Sequence, residues 1–281
     1  MTDKKRKSGS DLLAPWQVRA AVPNGLSLAD MDPGATPFST GDKQADKARL
    51  DELAQEIDVL QDQLFADRRH KVLVVLQGLD AAGKDGTIRH VFGRVSPLGV
   101  HTRGWRAPTD EERAHDFLWR IHQRVPAAGE LTIFNRSHYE DVLVPMAEGS
   151  LTTEQARVRC RQINDFELML SETGTLLLKF KLLIGKEEQR KRLQSRIDDP
   201  AKAWKFDAHD LEVRRNWDAY RKAYELVLAT TGTAHAPWTI VPADSKTHRN
   251  LMIATVVRDA LQGLELRYPE AAEGVAGAKV R

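Results

Sequence analysis

The sequence predicts an α/β fold, with a central parallel sheet covered by helices on both faces. Three observations carry this. The aliphatic run at 72–76 lacks the polar alternation of a half-exposed strand and reads as a strand buried on both faces, and further short strands are read at 131–134, 176–184 and 238–241. Helical stretches separate them, and that alternation of strand and helix is the pattern of a parallel sheet. Directly after the first run stands Gly78-Leu79-Asp80-Ala81-Ala82-Gly83-Lys84, a Gly-x4-Gly-Lys loop placed where a strand hands over to a helix.

Residues 1–41 are rich in Pro, Gly, Ser and Asp without periodicity and read as an extension draped over the body. From Asp42, the positions Leu50, Leu53, Ile57, Leu60 and Leu64 mark an amphipathic helix ending near His70. After the strand at 72–76 and the loop at 78–86, a helix is expected to about Val95. A further helix is expected over 110–125, with Thr109 as N-cap and Glu112 at the capping-box spacing. The strand at 131–134 follows, then a helix over 153–172 capped by Thr152 or Thr153, and the strand at 176–184. Helices are expected near 187–197, 208–231 and 246–265, the strand at 238–241 lies before the last of them, and residues 270–281 form a small, polar tail.

Composition narrows the class. The chain has 281 residues, 29% charged and 41% hydrophobic, with 42 Lys+Arg against 40 Asp+Glu. Wholesale disorder, a collagen-like rod and a membrane-embedded protein are excluded. A net charge of +2 does not announce a nucleic-acid binder, and no nucleic-acid or membrane partner is expected. One cysteine, Cys160, leaves no intrachain disulfide, and no apolar stretch follows the basic N-terminus as a secretory signal would require. A cytoplasmic location is expected.

The loop's chemistry is direct. Glycines let backbone N–H groups turn around a phosphate, the helix N-terminus adds partial positive charge, and Lys84 brings a mobile cation. The residue after Lys84 is Asp85, where a metal-binding Ser or Thr commonly stands. Asp80 lies inside the loop, where a carboxylate would repel phosphate unless a cation or proton sits between them. It is therefore expected to meet magnesium or a proton on the acceptor. Asp85 reads equally well as a first-turn residue favoured by the helix dipole.

The next strand runs into Asn135-Arg136-Ser137-His138-Tyr139-Glu140-Asp141, at the sheet end where ligands bind in open α/β sheets. Arg136 is placed to stabilise a transferring phosphoryl group or to pair with Glu140. His138 has no partners at metal-ligand spacing and reads as a hydrogen-bonding wall residue. Residues 86–109 hold Arg89, Arg94, Arg103 and Arg106 with no acid. Residues 189–205 hold Arg190, Lys191, Arg192, Arg196, Lys202 and Lys205 against Asp198 and Asp199. Two basic segments flanking one phosphate loop suggest a track for a long polyanion.

Taken together, the sequence resembles the polyphosphate kinase 2 family from about Asp42 to Pro269. The resemblance rests on the 78–87 loop, Ala-His-Asp-Phe-Leu-Trp-Arg at 114–120, Phe-Asn-Arg-Ser-His-Tyr-Glu-Asp at 134–141, Ile-Asp-Asp-Pro at 197–200, Trp204-Lys205, Ala-Pro-Trp at 236–238 and Pro242-Ala243-Asp244. Met146-Ala147-Glu148 departs from the family pattern. The resemblance implies a P-loop kinase-like, three-layer αβα core of thymidylate-kinase type over 42–269, with a helical lid near 185–215. It implies reversible transfer of the terminal phosphoryl group of inorganic polyphosphate to a nucleotide, with magnesium or manganese. Asn135 resembles the branch accepting both AMP and ADP, giving ADP and ATP.

The expected catalytic residues are Asp80, Lys84, Arg136 and Glu140, with Asp80 and Glu140 as metal ligands. Phosphate binding is expected at Gly78, Ala81, Ala82, Gly83, Lys84, Asp85, Gly86, Thr87, Arg136, Arg192, Arg196 and Lys205. Nucleotide binding is expected at Asn135, Glu140 and Asp141, in a dimer or tetramer of identical chains. Two other readings are an ATP-dependent kinase of a small molecule and a non-catalytic nucleotide-binding regulator.

Overall fold

The structure, a computed structural model, describes residues 9–22, 25–271 and 275, apart from the side chain of Lys205. The basic run at 4–7 and most of the 270–281 tail lie outside the described residues. In chain order the elements are α1 (Gly9–Leu13), β1 (Gln17–Val18), α2 (Lys43–Asp67), β2 (Lys71–Gln77), α3 (Lys84–Val91), β3 (Val100–Gly104), α4 (Asp110–Ala114), α5 (Trp119–His122), β4 (Leu131–Asn135), α6 (Glu140–Ala147), α7 (Thr153–Glu172), β5 (Thr175–Leu183), α8 (Lys186–Asp198), α9 (His209–Arg215), α10 (Trp217–Thr231), β6 (Trp238–Pro242) and α11 (Lys246–Gln262).

The sheet has six strands in the order β1-β6-β5-β2-β4-β3. All neighbours are parallel except the two-residue β1, which pairs antiparallel with β6. β2 is central, with Val74 opposite Ile133 on one side and Leu178 on the other. Period-two alternation sends Leu73 and Val75 into a core with Phe134 of β4, Trp238 of β6, Ile163 of α7 and Leu228 of α10. Val72, Val74 and Leu76 enter the opposite core with Leu53, Ile57, Leu64 and Val257 of the α2–α11 layer. Burial on both faces is why these strands read as unbroken aliphatic runs.

The extension is tied to the body. Val22 N–H donates to Ala229 O at 3.3 Å, Leu28 N–H to Glu225 Oε1 at 2.8 Å, and Asp244 N–H to Pro33 O at 3.1 Å. No helix among the described residues is long and apolar enough to cross a membrane.

Two expectations are corrected, and two further elements, β3 and α6, were not expected. The helix expected over 110–125 is two short helices. The Thr109–Glu112 capping box forms, but His115 is extended and Asp116 Oδ1 accepts the Leu118 N–H at 2.9 Å, a side-chain turn that outcompetes the helix. The helix expected over 208–231 breaks at Asn216, which joins α9 to α10 with ψ at 23°. β3 was not expected, because an exposed edge strand of Val-His-Thr-Arg-Gly has no apolar run. Neither was α6, which carries Pro145 and follows the charged motif without a side-chain cap.

Candidate active site

The loop after β2 turns on two left-handed residues, Ala81 at φ 64° and Gly83 at φ 109°. A Cβ on Gly83 would stand 1.8 Å from the Arg249 guanidinium, so that glycine is required by space as well as by φ. Two arginines hold the loop from outside. Arg249 Nη1 donates to Ala82 O at 3.1 Å. Arg192 Nη1 donates to Ala81 O at 3.1 Å and Ala82 O at 3.2 Å, and its Nη2 reaches Ala243 O and Asp244 O. Carbonyls tied to these guanidiniums cannot face an incoming phosphate. Asn250 Oδ1 accepts from Arg249 and, at 3.3 Å, from Thr87 Oγ1. Thr87 is thereby fixed behind the loop. Burial, with the nearby Arg192 charge, pushes Arg249 down to about 9.

Lys84 curls beneath the loop, donating to Gly78 O at 2.6 Å. Burial lowers its pKa, against the pull of Asp80. Arg136, at the end of β4, is left-handed at φ 66°, a strained choice for a non-glycine residue. Its N–H donates to Leu76 O, and its guanidinium bridges Asp80 Oδ1 at 2.6 Å and Glu140 Oε2 at 3.3 Å. The ion pair with Glu140 therefore exists, and Asp80 shares it. Burial alone would lower Arg136, but the Glu140 and Asp80 carboxylates hold it above its ordinary value. Asp80 feels burial upward, yet the Lys84 and Arg136 charges bring it below the usual carboxylate range. Glu140 is pushed up by burial more than Arg136 and Lys84 pull it down.

Asn135 Nδ2 donates to Asp85 Oδ1 at 2.7 Å. In common P-loop enzymes a hydroxyl after the lysine and a strand-end Asp hold the metal. Here the carboxylate sits at the helix start and the strand end supplies an amide. Asp141 does not join the mouth, since its carboxylate pairs with Arg120 Nη2 at 3.0 Å. His138 is buried against Glu167. Arg196 Nη1 lies 3.5 Å from Asp210 Oδ2, and the Lys205 side chain lies outside the described residues.

Several residues of the site were not read from the sequence. Gln189 Nε2 donates to Asp80 O at 3.1 Å. Asp210 sets a second carboxylate beside Asp80, and burial together with that neighbouring charge pushes it up to about 6. Arg249 left little signal, because it stands among Lys246, His248 and Asn250 in the polar first turn of α11, whereas Asp210 is an acid following a basic stretch.

Among the described residues no group of three or more His, Cys, Asp or Glu side chains forms a metal cage. Magnesium needs none, as it commonly takes one or two carboxylates and completes its shell with substrate phosphates and water. Asp80 and Glu140, both on Arg136 at the mouth of the loop, fit that requirement.

The sequence pattern of the Polyphosphate kinase 2 family matches residues 40–269. The chain belongs to the polyphosphate kinase 2 family. Within it, the chain is similar to the AMP/ADP-polyphosphate phosphotransferase of Meiothermus ruber, 48% identical over 249 residues, 88% of this chain and 93% of that one. It is 40% identical to the ADP-polyphosphate phosphotransferase of Rhodopseudomonas palustris, over 77% of this chain and 79% of that protein. The crystal structure of Polyphosphate Kinase 2 from Arthrobacter aurescens TC1 superimposes with a TM-score of 0.89 at 43% identity, covering 96% of this chain and 94% of that one.

Proposed function

We infer that the protein transfers the terminal phosphoryl group of inorganic polyphosphate to AMP and ADP, reversibly, giving ADP and ATP. The observation that carries this is the Asp80–Arg136–Glu140 bridge at the mouth of the phosphate loop, in a chain 48% identical to an AMP/ADP-polyphosphate phosphotransferase.

The terminal oxygen of the acceptor attacks the end phosphorus of the polyanion in line, with no covalent intermediate. Lys84 and the loop amides not already donated within the turn cradle the donor, whereas Ala82 N–H donates to Leu79 O and Thr87 N–H to Gly83 O. Arg136 leaves its carboxylates for the phosphoryl oxygens as charge develops. Asp80 and Glu140 would hold a magnesium or manganese ion, which would offset the charge of the phosphates. Arg192 acts as a strut of the loop, while Arg196 and Lys205 serve the polyanion. Asn135 and Glu140 face the acceptor, and Asp141 keeps Arg120 in place beside them. Residues 42–269 form the phosphotransferase domain, with 185–215 as its lid, supported by the contacts of Gln189, Arg192 and Asp210 with the loop. We further propose a cytoplasmic homo-oligomer, a dimer or tetramer, with no nucleic-acid or membrane partner.

The test mixes protein, magnesium, polyphosphate and either AMP or ADP, and resolves the nucleotides by chromatography. ADP and then ATP are expected from AMP without added adenylate kinase. Lys84→Ala and Arg136→Ala should each lower turnover by about 10²–10³ with the fold intact. Transfer only from a different donor would overturn the reading.

A further inference from the structure

Three consecutive carbonyls of the phosphate loop are held from outside by side chains. Asp80 O accepts from Gln189 Nε2 at 3.1 Å, Ala81 O from Arg192 Nη1 at 3.1 Å, and Ala82 O from both Arg192 and Arg249. Gln189 and Arg192 stand three residues apart on one face of α8. The start of α8 is itself pinned, since Gly185 N–H donates to Asp244 Oδ1 at 2.8 Å and Arg192 Nη2 to Asp244 O at 2.7 Å. Gln189 differs from the two arginines in what holds its other end. It is fully buried, and its Oε1 accepts from Arg214 Nη1 of α9 at 3.2 Å. The same Arg214 nitrogen donates to Lys186 O at 2.6 Å, and Arg214 Nη2 lies 3.6 Å from Glu187. One turn earlier on α9, Asp210 sets its carboxylate beside Asp80. The short helix α9 therefore reaches one loop residue by two routes, through Asp210 directly and through Arg214 and Gln189.

We propose that Gln189 is a positioning residue for phosphoryl transfer, which relays the seating of α9, through the Arg214 guanidinium, to the peptide that follows Asp80. The assignment rests on the phosphotransfer reading above. A trans peptide sets its N–H opposite its C=O. With Asp80 O held by α8, the Ala81 N–H is aimed to the other side of the loop. The same bond fixes the backbone from which the Asp80 carboxylate reaches Arg136 at 2.6 Å. Ala81 is left-handed at φ 64°, a conformation that a residue with a side chain keeps only where its surroundings hold it there. A neutral amide suits the place. It fixes the carbonyl without bringing a cation that would compete with Arg136 for the Asp80 carboxylate. Both ends of the buried amide are bonded, so a shift of α9 that moves Arg214 leaves Gln189 with an unanswered oxygen, a costly state away from water.

The experiment uses the full chain, Gln189→Met, Arg214→Met and the double variant. Gln189→Met keeps the length and removes both bonds, while Arg214→Met cuts only the α9 end, at a partly exposed side chain. Gln189→Met should lower kcat by about tenfold, as for one lost buried hydrogen bond, with the Michaelis constants for ADP and polyphosphate within about twofold. Arg214→Met should lower kcat by about threefold in the parent and add little to Gln189→Met, because its route is already cut. Hydrogen exchange of the 78–83 amides, measured without substrates, should be about tenfold faster in Gln189→Met and faster in Arg214→Met as well, while the amides of 131–135 exchange as in the parent. Losses in kcat that multiply in the double variant would overturn the relay, as would parental kcat and loop exchange in Arg214→Met. A raised polyphosphate constant with kcat unchanged would overturn it too, since these residues would then be ligand contacts. If Gln189→Met does not fold, kcat and loop exchange in Arg214→Met decide alone. If the parent makes no ATP from polyphosphate, the phosphotransfer reading falls, while loop exchange still judges the relay.

Discussion

Lys179 and Lys181 stand two residues apart on β5 and face the same side of the sheet. The Lys179 amine donates to Glu167 at 2.6 Å, to Thr231 O at 2.8 Å and to Tyr139 Oη at 2.9 Å. Glu167 also accepts from Tyr139 Oη at 2.7 Å and meets His138 Nε2 at 3.3 Å. Every donor of that lysine is answered, and the charges balance. Toward the loop the balance ends. Lys181 has one weak bond, Lys84 rests on carbonyls, and Asp80 and Asp210 crowd each other. The closed network lies beneath the site and holds it up. The open mouth keeps unspent charge, which is what a site needs if phosphates and a cation are to complete it. Stability and binding capacity are thus separated along a single strand by one turn of its pleat.

The largest expected effect comes from breaking the closed network. Lys179→Met leaves Glu167 buried without its cation. Removing one partner of a buried pair typically costs about 3–5 kcal/mol. Burial raises Glu167, and the Lys179 and His138 charges outweigh it to hold the carboxyl low, so the loss should appear as a raised Glu167 pKa as well. Lys179→Met with Glu167→Leu should recover part of the loss, because the uncompensated charge is gone. Urea melts check both. A single variant as stable as the parent would erase the contrast between the two lysines.

The mouth should respond in the opposite sense. Asp210 is an acid whose folded pKa, about 6, lies above its ordinary 3.8 because of burial and the Asp80 charge. The folded state thus binds more protons than the unfolded one between these values, and stability falls as pH rises through that window. Asp210→Asn removes the penalty. It should raise stability by about 1–2 kcal/mol at pH 8, a figure discounted for partial solvent screening, and by less near pH 4. Activity should fall at the same time, because the carboxylate that crowds Asp80 is part of the lid's contact with the loop. Thermal melts at several pH values, paired with turnover, measure both. A destabilised Asp210→Asn protein at pH 8 would place Asp210 with the closed network instead.

The sequence was most legible where one physical cause acted alone. Strands buried on both faces showed as aliphatic runs, and the left-handed turn at Gly83 showed as a glycine before Lys84. The opposing residues Asp80, Arg136 and Glu140 could be named, since each is a charge at a strand end. What stayed hidden depends on distant parts of the chain meeting. Arg192 looked like a contact for the polyanion, yet its guanidinium is held by four backbone carbonyls from two loops. Asp141 looked like a second acceptor-side carboxylate, but Arg120, 21 residues earlier, claims it. Lys181 gave no signal, because a lysine within a strand reads as an exposed face until the neighbouring α10 is seen to cover it. The α4–α5 break was hidden for a local reason, as the Asp116 turn competes with a helical pattern that the spacing alone favours.

The smallest expected effect sits at the join of the two regions. Asn135 Nδ2 bonds Asp85 Oδ1 at 2.7 Å, which ties the end of β4 to the start of α3. Asn135→Asp sets two carboxylates against each other and needs a proton or a cation between them. It also adds negative charge at the strand end, where the shorter acceptor must bring its only phosphate deepest. AMP use should therefore fall more than ADP use, by about five- to tenfold in the ratio of their kcat/KM values, equivalent to about 1 kcal/mol. The exchange variant Asn135→Asp with Asp85→Asn restores one amide and one carboxylate in reversed places, so it should recover the hydrogen bond and most of the thermal stability. It should not recover the AMP preference, because the charge still stands at the strand end. Initial rates from AMP and from ADP at fixed polyphosphate measure the ratio. Equal losses for the two acceptors would show that Asn135 serves only to hold Asp85. Recovery of AMP use in the exchange variant would show that the hydrogen bond, and not the position of the charge, sets acceptor choice.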